Sequence, residues 1–149
     1  MKTKELVKAY KILQPSKVTK MDDADKMKVV KAARALRPIA EEYEKNIEEG
    51  VKTLRDERFG EMQQKGAKHN EAIKNQSKDG LLSLEELDEL NKYFADHEKL
   101  YRTLVQELDE KDVAIEIPRI SEDAFIKFAA SNDNLTCEDL VLVGNIISE

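Results

Sequence analysis

Apolar and aromatic residues recur at alternating intervals of three and four positions in two long stretches of the chain. The first set is Val29, Ala33, Leu36, Ala40, Tyr43, Ile47, Val51 and Leu54, and the second is Leu87, Leu90, Phe94, His97, Tyr101, Leu104 and Leu108. This spacing places each set on one face of an α-helix and is typical of helices that pair as in a coiled coil. It predicts a mainly α fold: a long antiparallel helical hairpin over about 22–78 and 84–111.

Helix breakers and caps set the expected limits of the two hairpin helices. Pro38 lies inside the first helix and predicts a kink, because proline removes one backbone hydrogen bond. Gly60 and Gly66 thin the apolar pattern, so we expect 60–78 to be the least stable part of that helix. Ser83 and Glu86 have the spacing of a capping box and predict the start of the second helix.

Shorter elements are predicted on either side of the hairpin. Leu6, Ala9, Tyr10 and Leu13 share one face of an N-terminal helix over 3–13. Val113–Ile117 alternates as a half-buried strand does, and Ser16–Lys20 is the strand partner available within the chain, with another subunit as the alternative. Two short helices follow, so that residues 112–149 form a small α+β segment containing one strand of a two-stranded β element.

The predicted domain organisation is a single domain over 1–149. Its length of 149 residues fits one domain. The N-terminal helix 3–13 and the segment 112–149 are expected to pack at the open end of the hairpin 22–111, where Val29 and Leu36 would be buried. We expect the main core at that end.

Charge is distributed unevenly along the chain. Residues 1–80 hold 19 basic and 14 acidic residues, whereas residues 81–149 hold 6 and 17. We expect the two halves to attract each other, with an anionic partner for the basic half as the alternative. The basic residues Lys28, Lys31, Arg34 and Arg37 are not interleaved with aromatic residues, so a nucleic-acid partner is not expected.

The stretch between the two hairpin helices resembles the calcium-binding loop of an EF-hand. The resemblance implies calcium ligands at Asn75, Ser77, Asp79, Leu81 and Glu86, with Gly80 at the sharp turn. The chain departs from the family pattern at Asn75, where an aspartate is usual, and at Lys74, where an apolar residue is usual. The competing interpretation is a simple turn followed by a serine N-cap.

Other candidate chemistry is sparse. Of the two histidines, His69 is expected to be solvated, and His97 is expected to be a hydrogen-bonded core residue. Cys137 is the only cysteine, so it is expected to be structural and an internal disulfide is excluded. No known catalytic, zinc or phosphate-loop motif is present. We therefore predict a protein that is not an enzyme, with no small-molecule substrate and no cofactor other than the calcium considered above.

The layout of the chain also resembles small helical proteins of bacteriophage tail and structural modules. The residues that carry this resemblance are Lys4-Glu5-Leu6 with Tyr10 and Leu13, the long Lys/Arg/Glu-rich helix, Ile120–Phe125 and Ser131–Asp133. It implies a phage or prophage origin and a virion-associated location as the alternative to a cytoplasmic one. It implies no activity and no functional residues.

The sequence as a whole favours an interaction protein. No signal peptide pattern and no apolar run of about 20 residues is present, so we expect a cytoplasmic protein that does not enter a membrane. The predicted function is non-enzymatic protein–protein interaction or assembly, with a protein partner or self-association. The alternative is a calcium-responsive binding module that uses the loop at 75–86.

Overall fold

The computed structural model of the chain describes residues 1–149 and contains six helices and no extended strand pair. The mainly α fold class is therefore confirmed. None of the helices combines the length and the apolar character required to cross a bilayer. The helices are α1 (Thr3–Leu13), α2 (Asp23–Leu54), α3 (Glu57–Lys74), α4 (Leu84–Glu110), α5 (Glu122–Ser131) and α6 (Cys137–Ile147).

The chain divides into two compact units. Unit 1 contains Met1–Lys45 and Leu108–Glu149, and unit 2 contains Asn46–Glu107. Each unit has its own packing, described separately below. The single domain over 1–149 stays a prediction.

Unit 1 has a closed apolar core. Side chains from α1, the first part of α2, α5 and α6 meet there, and Ile120 joins them from the segment before α5. Leu6, Leu36, Ile120 and Phe128 are completely buried. The core predicted around Val29 and Leu36 is confirmed, since both lie in this cluster: Leu6, Ala9, Leu13, Met21, Val29, Ala32, Leu36, Ile120, Ala124, Phe128, Val143, Ile146 and Ile147.

The predicted two-stranded β element is wrong. The backbone of Ser16–Lys20 forms hydrogen bonds with side chains and not with a neighbouring strand. The backbone N–H of Lys17 donates to Asn132 Oδ1 at 2.7 Å, and Asn132 Nδ2 donates back to the Lys17 carbonyl at 2.7 Å. The Lys20 N–H donates to Ser131 Oγ. The buried Asn132 amide thus supplies the donor and acceptor that a strand would otherwise provide.

The other predicted strand, Val113–Ile117, begins beside the N-terminus of the chain. The Val113 N–H donates to the Met1 carbonyl at 2.9 Å, and the Thr3 N–H donates to the Lys111 carbonyl at 2.9 Å. These contacts form a single antiparallel bridge between Lys2 and Asp112. α1 begins at Thr3, so the N-terminal segment turns into a helix before a ladder can form.

Unit 2 is a layer of antiparallel helices. Along α3, Phe59 packs on Phe94 of α4, and farther along the helix Gly66 faces Leu90. The partners run in opposite sequence directions, which is the antiparallel order predicted for these residues. Only three residues of unit 2 are buried: His69, Ala72 and Leu90.

The first hairpin helix, predicted as continuous over about 22–78, is interrupted at Arg55–Asp56. α3 restarts with Asp56 as N-cap, whose carboxylate accepts from the Phe59 N–H at 3.0 Å. Gly60 and Gly66 do not interrupt α3, which continues through both of them to Lys74. The break in the predicted helix therefore lies where Asp56 caps the start of α3, and not at the glycines.

Candidate functional site

The turn segment, residues 75–83, connects α3 to α4 and holds most of the predicted calcium ligands. α3 ends in a Schellman arrangement: the Ser77 N–H donates to the Ala72 carbonyl and the Gln76 N–H to the Ile73 carbonyl. Gln76 takes a left-handed conformation, with φ of 52°, and Gly80 takes a second one, with φ of 87°. The segment is thus built mainly by helix-end hydrogen bonds.

Three of the five predicted ligands line one shallow pocket. Asn75, Ser77 and Asp79 border a space of about 330 Å³, together with Glu71 and Lys68 from α3. Lys68 places a cation beside the acidic side chains. Leu81 and Glu86 do not line this pocket. No group of three or more histidine, cysteine, aspartate or glutamate side chains is placed to hold a metal ion.

Glu86 takes part in the start of α4. Its N–H donates to Ser83 Oγ at 3.1 Å, and its Oε1 accepts from the Ser83 N–H at 3.4 Å. These two bonds are the capping box predicted from the sequence, which is confirmed. The carboxylate that the EF-hand resemblance assigns as the last calcium ligand is therefore engaged at the helix terminus.

His69 fastens the turn segment to α3. Its Nδ1 accepts a hydrogen bond from the Leu82 N–H at 2.9 Å, and its side chain is buried. The solvated His69 expected from its polar neighbours is therefore wrong. Sequence distance hid this role, because the donor lies 13 residues away. One residue nearer the start of α3, the Lys68 carbonyl lies against Gly80.

Unit 2 also contains an aromatic cluster, formed by Phe59, Tyr93, Phe94 and His97. The Tyr93 and His97 ring centroids are 4.4 Å apart, and Phe59 meets Phe94 edge-on at 5.6 Å. Arg58 lies over the Tyr93 ring at 5.2 Å. Desolvation in the cluster raises the pKa of the Tyr93 phenol, and the carboxylate of Asp56 adds to this effect.

His97 links the aromatic cluster to the interruption after α2. Its Nε2 donates to the Leu54 carbonyl at 2.7 Å. Because α2 ends at Leu54, this carbonyl has no helical partner, and the imidazole N–H satisfies it. His97 is half-buried within unit 2, where it fills both a packing and a capping role.

An open aromatic pocket of about 250 Å³ lies against this cluster. It is lined by the end of α2, the start of α3 and the middle of α4: Val51, Leu54, Arg55, Phe59, Phe94, His97, Glu98 and Tyr101. Most of its lining is apolar or aromatic, with one cation and one anion at hand. Tyr101 was predicted to face the paired helix, yet 42% of its surface is exposed, and the adjacent Leu100 is 53% exposed.

Cys137 stands apart from these features. It is the first residue of α6 in unit 1, and its thiol is free and exposed. The structural role expected from the sequence, as opposed to that of a nucleophile, stays a prediction. Its exposure makes Cys137 a usable labelling position.

Comparison with known proteins found no relative. No protein-family model matches the chain, and searches of curated proteins and of solved structures found no match either. The resemblances to phage structural proteins and to the EF-hand loop therefore stay predictions.

Three residues of the site went unrecognised in the sequence. Asp56 follows the last apolar residue of α2 and precedes Glu57, which is a helix-start signal that could have been found. The cation–π contacts of Arg55 and Arg58 depend on which aromatic rings lie opposite, and the sequence pattern does not contain that information.

Proposed function

We propose that this protein is a non-enzymatic interaction protein that binds a partner protein through the aromatic pocket of unit 2. The observation that carries the proposal is the incomplete cover of the pocket. Phe59, Phe94 and Tyr101 line an open apolar space, and both Tyr101 and its chain neighbour Leu100 are exposed on α4. Aromatic side chains around an open pocket are frequent anchors of protein interfaces.

The thin packing of unit 2 supports the same proposal. Helices that pack in a single layer bury only the part of their apolar face that touches a neighbouring helix. In unit 2, Ala72 and Leu90 are the only apolar side chains that are buried. A partner helix laid along α4 would cover Leu100 and Tyr101 and would insert an apolar side chain into the pocket. This geometry corresponds to recognition of a helix in a groove.

Site-specific photo-cross-linking in cells that express the protein naturally tests the proposal. A photoreactive phenylalanine analogue replaces Tyr101 in one variant and the neighbouring Arg102 in the control. Arg102 is exposed and bonded only to Glu98 on its own helix, and it projects about 100° around the helix from Tyr101. We expect a defined cross-linked species from position 101 that is absent from position 102.

The identity of the cross-linked protein decides between a different protein and a second copy, and either result supports the proposal. Equal products from positions 101 and 102, or none from position 101, would refute it. A further variant, Leu100→Glu, is expected to abolish the product by placing a charge in the surface of α4 that the proposed partner helix covers.

Calcium binding is the second candidate function. The observation that favours it is the shared pocket of Asn75, Ser77 and Asp79, with Glu71 beside them. Calorimetric titration with calcium tests it, with Asp79→Asn and Glu86→Gln as variants. Heat that disappears in Asp79→Asn supports a site at the turn segment. Heat that also disappears in the separate variant Glu86→Gln indicates that Glu86 leaves its capping position to bind. Absence of heat at about millimolar calcium, the weak end for such loops, excludes this function.

A further inference from the structure

A second pocket, in unit 1, combines an apolar floor with a basic rim. This basic groove holds about 320 Å³ between α1, the segment after it and α2. Its lining includes the apolar residues Leu13, Val18, Val29 and Val30, which we call its floor, and the exposed residues Arg34 and Arg37, which we call its rim. The volume is at the small end of ligand pockets and suits one or two inserted side chains.

The positive charge beside the groove is only partly neutralised within the chain. Residues 26–37 contain five basic side chains and no acidic one. The ion pairs between the two ends of the chain engage Lys2, Lys4 and Lys8 instead. Arg37 pairs only with Glu41 on its own helix. Lys26 pairs with Asp23, three residues earlier in α2. The other three side chains, Lys28, Lys31 and Arg34, form no ion pair, so the charge attraction expected between the two halves of the chain does not reach this face.

From this combination we propose that the basic groove binds an acidic amphipathic helical segment of a partner protein. Arg34 and Arg37 are three residues apart, which places them about 5–6 Å apart on the same side of α2. Carboxylates one turn apart on a partner helix have the same spacing and can each accept hydrogen bonds from one guanidinium. An apolar side chain between them would enter the valine-lined floor.

The chemistry of the groove favours a peptide over a nucleic acid. Nucleic-acid sites without sequence preference combine basic side chains with several aromatic platforms, whereas Tyr10 is the only aromatic residue that lines this groove. The branched aliphatic floor matches leucine or isoleucine side chains. This site shares no residue with the aromatic pocket of unit 2, so the proposal stands or falls independently of the proposed function.

Fluorescence anisotropy with the full chain tests the proposal. The probe is a labelled helical peptide with a leucine stripe flanked by glutamates one turn apart, and its control replaces every glutamate with glutamine. Arg34→Gln combined with Arg37→Gln is expected to weaken binding of the glutamate peptide at least about tenfold. Ala33→Leu, which fills the groove without changing its charge, is expected to weaken binding by a similar factor. Arg102→Gln, an exposed arginine of unit 2, is the matched control and should change binding by less than about twofold.

Four results would overturn the proposal. The first two are equal affinities for the glutamate and glutamine peptides, and a loss of affinity in Arg102→Gln as large as in the double variant at Arg34 and Arg37. The third is displacement of the labelled peptide by single-stranded DNA at the same concentration as by unlabelled peptide. The fourth is no binding at about 100 μM peptide. Chemical-shift mapping on the unaltered chain is the second readout in case Ala33→Leu folds poorly. The proposal requires the largest shifts within residues 10–37, and shifts centred elsewhere contradict it.

Discussion

Unit 1 and unit 2 are both helical, but they bury their apolar side chains to different depths. Fifteen of the seventeen buried apolar residues belong to unit 1, and only Ala72 and Leu90 belong to unit 2. Unit 1 is therefore stabilised mainly by a closed core. Unit 2 depends on half-buried aromatic rings and on hydrogen bonds at its helix ends. A region of the second kind keeps apolar surface available for a partner, at the cost of lower local stability.

The largest expected effect comes from the centre of unit 1. Phe128 is completely buried, so Phe128→Ala should lower the free energy of unfolding by about 4 kcal/mol through lost burial and the cavity it leaves. Urea denaturation measures this change. Phe94→Ala in unit 2 is the counterpart, and because Phe94 is only half-buried, it should cost clearly less. Equal losses in the two variants would show that the comparison is wrong.

Loss of the Asn132 side-chain hydrogen bonds should have the next largest effect on stability. Asn132→Ala removes both bonds to Lys17 and the bond to the Phe128 carbonyl, and leaves buried polar groups without partners. We expect a loss of about 2–3 kcal/mol in the free energy of unfolding. Asn134→Ala, at an exposed position two residues later, serves as the control and should be nearly neutral. A neutral Asn132→Ala would mean that water replaces the amide without cost.

Within unit 2, the capping bond of His97 can be separated from its packing. His97→Phe keeps an aromatic ring but removes the N–H that reaches the Leu54 carbonyl, and should cost about 1 kcal/mol. Hydrogen exchange should accelerate at the end of α2 and in α3, while the amides of α1 and α6 keep their protection. Lys99→Gln, on the exposed side of the same helix, is the control. Faster exchange in α1 would contradict the separate packing of the two units.

Unit 2 should also be open to stabilisation. A methyl group at Gly60 would meet no atom within 4 Å, so Gly60→Ala should raise the stability of α3 by about 0.5–1 kcal/mol through helix propensity. Gly80→Ala should have the opposite effect, because Gly80 has φ of +87° and lies close to the Lys68 carbonyl. Thermal melts followed by circular dichroism compare the two variants. If both substitutions raised the melting temperature, or both lowered it, the different roles assigned to Gly60 and Gly80 would be wrong.

The smallest effect is expected at the surface of unit 1. The hydrogen bond and charge of Lys4, at 2.6 Å, lower the pKa of the Glu110 carboxyl, and Glu110 raises the pKa of Lys4 in turn. The pair therefore contributes stability above the ordinary glutamate value of 4.5, and loses it as the pH falls through the lowered pKa of Glu110. In Lys4→Met, the Glu110 pKa followed by NMR titration should rise towards 4.5. An unchanged value would mean that the ion pair does not persist in solution.

Local patterns in the sequence predicted the helices well. The three-and-four spacing around Leu90 and Phe94 indicated α4, and Ser83 with Glu86 marked its start, because both signals act within a few residues. Packing at the unit 1 core was also foreseeable from Val29 and Leu36. The candidate site was predicted only in part: the EF-hand resemblance brought Asn75, Ser77 and Asp79 together, but Glu86 belongs to the helix cap.

Most of the errors have one physical cause, which is bonding between residues distant in sequence. The predicted strand at Ser16–Lys20 is satisfied by the side chain of Asn132, more than a hundred residues away. The interruption after Leu54 is completed by His97, and His69 is buried by the turn segment. Neither hydrophobic spacing nor residue propensity contains these pairings. The basic groove at Arg34 and Arg37 could not be predicted either, because the sequence does not show which basic residues form ion pairs with the acidic ones.

The two histidines of unit 2 meet backbone groups of opposite polarity at the two helix junctions. His97 donates from Nε2 to the Leu54 carbonyl, whereas His69 accepts at Nδ1 from the Leu82 N–H. An imidazole can fill both roles because it has one ring nitrogen that donates and one that accepts. A side chain that only donates, such as lysine, could therefore replace His97 but not His69 in these bonds.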